Sequence, residues 1–228
     1  MRVQELKGYE KIISEKEWEM EYQNICKLLK IDPRKDEKAT KILSELLRER
    51  KDYLSDAIKV VKGKRIIIYG AGPSLEKAPI SDYVKFAADG ATSYLLKKKV
   101  FPEIIVSDLD GGMRDITKAS KRGVVFVHAH GDNIKKLEKY VPRINKIVGT
   151  TQVKERRKVY NFGGFTDGDR CFFIAKALGA KEIEYYGMDF GDIIGRYSKP
   201  NLSKNTKASE RKILKLKIAK NLLEKYVF

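Results

Sequence analysis

Asp108 and Asp110 close an apolar run of strand length, Ile104-Ile105-Val106-Ser107, and are followed at once by Gly111 and Gly112. Alternate residues of an extended chain point to one side, so the spacing predicts two carboxylates facing the same way. Ionised carboxylates that close repel each other unless one keeps its proton or a cation lies between them. Magnesium suits such an all-oxygen site and commonly holds a substrate's phosphates at the same time. The two glycines leave the backbone bare for a close approach. The competing reading is an acidic surface turn.

The pattern recurs along the chain. Short apolar runs end in Asp89-Gly90-Ala91-Thr92, in His128-Ala129-His130-Gly131-Asp132-Asn133, in Gly149-Thr150-Thr151 and in Gly187-Met188-Asp189. Gly70-Ala71-Gly72-Pro73-Ser74 follows the run Arg65–Tyr69 directly and is similar to the phosphate-cradling first turn of dinucleotide folds, although Leu75 stands where the third glycine belongs. In the stretch Asn161 to Arg170, Gly163 and Gly164 loosen the backbone and Thr166, Asp167 and Asp169 are of the types that cap a helix. Arg170 has the side chain for a bidentate grip on phosphate. A structural Gly-rich loop with an aspartate cap is the alternative there, and His128 and His130 read more readily as structural than as ligands.

These residues need a scaffold that gathers them. Strand-length runs begin at Arg65, Val84, Ile104, Val124, Lys146 and Ile183, and helix-length stretches separate most of them: 93–99, 115–122, 134–140 and 169–178. Alternating strands and helices predict an α/β fold, a Rossmann-like, mostly parallel sheet flanked by helices. Ligands of such sheets sit beyond the carboxyl ends of the strands, where the Asp and Gly clusters fall. Residues 1–63 read as a helical N-terminal appendage for packing or pairing, with a capping-box spacing at Ser14 to Glu17 and a proline start at Asp32-Pro33. Residues 64–198 form the expected catalytic domain. Residues 199–228 read as a basic loop and a C-terminal helix whose Arg211, Lys212, Lys215 and Lys217 are either a solvated face or a cover for a polyphosphate.

Composition bounds the rest. A chain of 228 residues suits one domain with an appendage. No apolar run approaches the roughly 20 residues that span a bilayer, and Cys26 and Cys171 form no metal or disulfide spacing. A cytoplasmic protein is the expectation. The formal charge of +17 is compatible with a polyanionic partner, yet the lysines are spread along the whole chain, which favours a solvated surface over a nucleic-acid groove.

Taken in order, GAGPS, ADGAT, SDLDGG, HAHGDN, NFGGFTDGDR and YYGMDFGD form a specific set. With them the chain resembles the archaeal 6-hydroxymethyl-7,8-dihydropterin pyrophosphokinases, which are distantly similar to thiamin pyrophosphokinases. The resemblance covers about Arg65 to Ser198 and the helical N-terminus. It implies a magnesium-dependent transfer of diphosphate from ATP, as co-substrate, to the hydroxymethyl group of a reduced pterin, giving AMP, in tetrahydrofolate or methanopterin synthesis. By that resemblance Asp108 and Asp110 ligate the metal, with Asp89 and Asp132 completing the acidic cluster or serving as base. Gly70, Gly72, Pro73, Ser74, Asn133, Thr166 and Arg170 lie toward the nucleotide. Gly163, Gly164, Asp167, Asp169 and Asp189 line the substrate side, one of these aspartates reading the guanidine-like edge of the pterin. A homodimer through the N-terminal helices is compatible with their apolar stripe. Two other functions fit parts of the chain: a nucleotide-sugar glycosyltransferase using Asp108-Leu109-Asp110 as its metal motif, and a nucleic-acid-binding module, for which no RNA- or DNA-binding motif is present.

Overall fold

The β-branched runs build the sheet that their alternation with helices predicts. In the computed structural model, which describes residues 8–228, seven strands form one parallel sheet. They are β1 (Arg65–Tyr69), β2 (Val84–Ala88), β3 (Ile104–Ser107), β4 (Val124–His128), β5 (Ile147–Thr150), β6 (Val159–Tyr160) and β7 (Glu182–Tyr186). Their spatial order is β6-β5-β4-β3-β2-β1-β7. The chain therefore steps along the sheet from β1 to β6 and returns to place β7 beyond β1.

Successive residues of each strand serve opposite faces, as the two-residue period requires. From β1, Ile67 and Tyr69 pack under α4 (Ala91–Lys97), where Tyr94 and Leu95 meet Leu75. On the same face Ile105, Val125 and Ile147 pack against α5 (Met113–Ala119), α6 (Ile134–Tyr140) and α2 (Pro33–Leu46), through Ile116, Leu137 and Leu43. Ile66, Ile68, Phe86, Val106 and Phe126 face the other way, into a core shared with α1 (Glu15–Leu29), α3 (Leu54–Val61), α7 (Asp167–Ala177) and α8 (Glu210–Tyr226). Phe172 and Phe173 of α7 are fully buried there, and each such side chain removed from water contributes about 1.5–3 kcal/mol.

The helical expectation for 1–63 resolves into α1, α2 and α3, with residues 1–7 outside the described residues. Ser14 caps α1 in the expected box with Glu17, and Asp32 caps α2 ahead of Pro33. Two features have no counterpart in the sequence reading. The two-residue strand β6 extends the sheet, and a short antiparallel pair, β8 (Ile193–Ile194) with β9 (Thr206–Lys207), links β7 to α8. Among the described residues no helix is long and apolar enough to cross a membrane.

Candidate active site

The carboxyl ends of β1 to β5 and β7 open onto one hollow of about 500 Å³, within the range of small-ligand sites. Its floor is acidic. Asp89 follows β2, Asp108 follows β3 and Asp167 opens α7, and one carboxylate oxygen from each lies within 4.8 Å of the others. The Asp89 carboxylate accepts from Ser107 Oγ at 2.6 Å and from the Gly111 backbone N–H at 3.1 Å. The Asp108 N–H donates to Asp167 Oδ2 at 3.2 Å, and Arg170 Nη1 donates to Asp167 Oδ1 at 3.2 Å. Burial and the neighbouring Asp108 charge push Asp89 up to about 7 and hold Asp167 well above the usual carboxylate range. Burial acts on Asp108 in the same direction, but neighbouring His130, the charge of Lys199 and the Asp110 N–H outweigh it and lower Asp108 to about 2.

Asp108 and Asp110 do not share a strand face. β3 ends at Ser107, and Leu109, buried in the core, turns the chain through a left-handed conformation (φ 67°). The Asp110 N–H donates to Asp108 Oδ1 at 3.0 Å, while its carboxylate pairs with Lys136 and with Lys199, the latter at 2.5 Å. Asp110 thus lines the hollow but stands outside the triad. Asp132 stands at the exposed rim, its N–H donating to His130 Nδ1 at 3.3 Å. The resemblance implies a cluster of Asp108 and Asp110 completed by Asp89 and Asp132; the structure instead groups Asp89, Asp108 and Asp167. Asp167 was expected on the substrate side.

The TDGDR segment divides its work. Asp167 faces the hollow, whereas Asp169 is fully buried and accepts from the Phe165 and Thr166 N–H groups (2.7 and 2.6 Å) and from Thr166 Oγ1 (2.6 Å). It caps α7 and has no exposed edge to offer a ligand. Arg170 is 1% exposed; its guanidinium donates to Asp167 and to the carbonyls of Gly164 and Phe165, and lies 3.2 Å from His128 Nε2. It holds the loop and Asp167 in place from beneath the hollow. Gly163 and Gly164 are both at positive φ (85° and 81°), and a Cβ on Gly164 would meet the Arg170 backbone at 2.6 Å. They form the bend around α7 instead of a ligand surface.

Gly70, Gly72 and Asp189 line the hollow as expected, but their nearest neighbours are each other's loops. The Gly72 N–H donates to the Gly187 carbonyl at 2.8 Å, and Asp189 Oδ2 accepts from the Ser74 N–H and Oγ (3.0 and 2.8 Å). Pro73 and Ser74 lie behind this contact. Asn133 is buried, its Nδ2 joining the carbonyls of Asp108 and His128 (2.8 and 2.7 Å), so it fixes the β3 and β4 ends relative to one another. Burial, followed by the Arg170 and His130 charges, keeps His128 well below the ordinary histidine value and neutral, matching its place beside Arg170.

Two walls come from outside the central region. Lys212 and Lys215 of α8 line the hollow with Lys199 and with Arg211, whose Nη1 donates to the Leu29 carbonyl at 2.8 Å, whereas Lys217 is exposed on the outer side. Burial and the neighbouring Lys215 and Lys199 charges lower the Lys212 pKa, against the opposing pull of Asp167 and Asp108. The helical N-terminus also contributes: Lys30, Ile31, Asp32, Lys35 and Asp36 form one side of the hollow. No spacing in that stretch signals chemistry, and only the packing of α2 beside α6 brings it there.

The donor set fits a magnesium ion. Oxygen ligands alone meet at the triad, and burial followed by the Asp108 charge raises Asp89 and Asp167, a cost that a divalent cation would relieve. An acidic floor facing a lysine wall is suited to a metal-bound polyphosphate.

Comparison with known proteins agrees with this chemistry. Residues 37–195 match the family model described as 6-hydroxymethylpterin diphosphokinase MptE-like. A protein of Pyrococcus furiosus named 6-hydroxymethyl-7,8-dihydropterin pyrophosphokinase is 43% identical over 213 residues, covering 91% of this chain and 92% of its own. Proteins of the same name from Methanocaldococcus jannaschii and Methanothermobacter thermautotrophicus are 40% and 43% identical, each again covering 91% of this chain and 93% and 92% of their own.

Proposed function

The chain belongs to the MptE-like family of 6-hydroxymethylpterin diphosphokinases, and from that premise we propose that it transfers the terminal diphosphate of ATP to the hydroxymethyl group of 6-hydroxymethyl-7,8-dihydropterin. The products are AMP and the pterin diphosphate ester, a step of tetrahydrofolate or methanopterin synthesis. The observation that carries the reading is the convergence of Asp89, Asp108 and Asp167 opposite Lys199, Lys212 and Lys215 across one hollow.

In this reading Asp89, Asp108 and Asp167 hold magnesium, which when bound neutralises phosphate charge and orients the chain of phosphates. Lys199, Lys212 and Lys215 bind the phosphate oxygens and supply the positive charge that the reaction needs as it moves to AMP. The pterin's alcohol oxygen forms a bond to the β-phosphorus, the bond from that phosphorus to the α,β-bridging oxygen breaks, and AMP leaves with the electron pair. We assign the released hydroxyl proton to the carboxylate of Asp132, which stands at the rim beside His130. Arg170 and Asn133 act on the reaction through the groups they fix, Asp167 and the strand ends. Asp110, paired with Lys199 and Lys136, orients Lys199 toward the phosphates.

Incubation with ATP, magnesium and reduced hydroxymethylpterin, followed by mass detection, tests this directly. AMP and a diphosphate ester in equal amounts are expected. UDP or CMP released from an activated sugar, with no AMP from ATP, would replace the reading by the glycosyltransferase one. The apolar stripe of α1, Trp18, Tyr22, Ile25 and Leu29, is buried in the chain's own core, which leaves the exposed Met20 and Leu28 (59% and 61%) as the α1 surface for pairing two copies; sedimentation of the protein decides it.

A further inference from the structure

Resting on the diphosphotransferase reading, we infer that the two substrates enter from opposite ends of the hollow, the nucleoside over β1 and β7 and the reduced pteridine over β4 and β5 against the N-terminal helices. The sheet order places the triad between two lobes. Asp89 and Asp108 end β2 and β3; β1 and β7 lie on one side of them, β4 and β5 on the other. Six strand ends about 4.8 Å apart span about 24 Å. That length accommodates a nucleoside, a phosphate chain and a bicyclic ring laid end to end, with the β-phosphorus over the triad. In-line displacement requires the entering alcohol and the departing AMP on opposite sides of that phosphorus, so the two lobes hold one organic group each.

Their chemistry differs. Over β1 and β7 the lining is bare backbone at Gly70 and Gly72 with Met188, Phe190, Ile193 and Ile194 around it. Ile193 remains 40% exposed. Asp189 also lines this lobe, but its Oδ2 is taken up by the Ser74 N–H and Oγ, so the surface stacks and encloses a purine while offering few free side-chain hydrogen bonds. Over β4 and β5 the lining is a fixed polar network. Buried Asp36 accepts from the Gly131 N–H at 2.6 Å, from Gln152 Nε2 at 2.7 Å and from the Tyr22 hydroxyl. His130 Nε2 is buried and faces Asp108 Oδ2 across 3.7 Å, an ion-pair distance with no direct hydrogen bond. Lys35 closes this lobe: a Cβ placed on Gly131 would meet its Cβ at 2.4 Å. A pteridine carries donors and acceptors around a flat ring and needs such a preset array, since a polar edge buried without partners loses its hydration uncompensated.

Four variants test the assignment: Phe190→Ala and Ile193→Ala in one lobe, Lys35→Ala and Gln152→Ala in the other. KM is measured separately for ATP and for the pterin, and calorimetry measures binding of AMP and of 6-hydroxymethyl-7,8-dihydropterin. Losing an apolar or polar contact worth about 1.4 kcal/mol changes affinity about tenfold. Phe190→Ala and Ile193→Ala are expected to weaken ATP and AMP by that order and leave the pterin within about twofold; Lys35→Ala and Gln152→Ala do the reverse. Lys35 and Ile193 are exposed, so their variants keep the test valid if a buried change misfolds. Crossed effects, or equal effects on both ligands, overturn the assignment while diphosphate transfer by the unaltered protein stands. Absence of AMP and ester from the unaltered protein overturns the diphosphotransferase reading itself.

Discussion

The backbone N–H of Asp108 donates to Oδ2 of Asp167, 3.2 Å away and 59 positions later in the chain. This contact ties the end of β3 to the first turn of α7 and sets the third carboxylate of the acidic floor. Arg170, three residues further on, holds the other oxygen of the same carboxylate at 3.2 Å. Asp167 is thus fixed on both sides before any ligand arrives.

Asp167→Asn is expected to lower turnover by about two orders of magnitude or more, since it removes a negative charge from the proposed metal site without changing its volume. The variant keeps one of the two acceptors that the Asp108 N–H and Arg170 Nη1 use, so its stability is read alongside its turnover. Asp108→Asn behaves alike in turnover. AMP formation at saturating magnesium, set beside a thermal melt, checks both. Near-normal turnover in either variant would remove the metal role from the triad.

Asp89 gives a pH dependence whose sign follows from its pKa. Burial, then the Asp108 charge, raise it to about 7 in the folded protein, against roughly 3.9 for an unfolded aspartate. Between these values the folded state binds the extra proton, so the Asp89 contribution to stability declines as pH rises from about 4 through 7. In chelator-treated protein the Asp89→Asn variant should show a flatter loss of melting temperature over that window. An unchanged slope would mean that Asp89 titrates normally.

Magnesium and that proton compete for one carboxylate. The ion is therefore expected to bind more weakly at pH 6 than at pH 8 and to release protons at the lower pH. Calorimetry in two buffers of different ionisation enthalpy separates the released protons from binding heat. Equal affinity at both pH values, without proton release, contradicts a metal at Asp89.

Lys212 is half-buried among Lys215 and Lys199. Lys212→Met should weaken ATP binding by about tenfold, the worth of one charge-assisted contact. Lys217→Ala, on the exposed side of the same helix, is expected to change it less than about twofold. Comparable losses in the two variants would point to a diffuse field in place of a contact.

Gly72→Ala probes the loop contact behind the site. The new Cβ would lie 2.3 Å from Asp189 Oδ2 and 2.6 Å from the Gly187 carbonyl oxygen. Relief requires Asp189 to leave Ser74, and a cost of about 1–3 kcal/mol is expected. Gly191→Ala meets nothing within 4 Å and serves as the control. Equal denaturant midpoints for the two would show that the loop yields freely.

Local patterning alone determined much of this protein. Runs such as Arg65–Tyr69 and Ile104–Ser107 carry the β-branched composition of buried parallel strands, so the α/β class, the six main strands and the acidic clusters at their ends were legible, as were the caps at Ser14 and Asp32. Only the tertiary structure decided which of the acidic residues meet. Asp110 turns to Lys199 and Lys136 because Leu109 buries itself and reverses the chain; Asp169 turns inward because the Phe165 and Thr166 N–H groups need a partner. Asp167 joins Asp89 and Asp108 because α7 crosses back over the sheet, and Lys35 and Asp36 reach the hollow because α2 lies beside α6. Strand and cap formation depend on neighbours in sequence, whereas a shared cation site depends on strand order and burial, which no local spacing encodes.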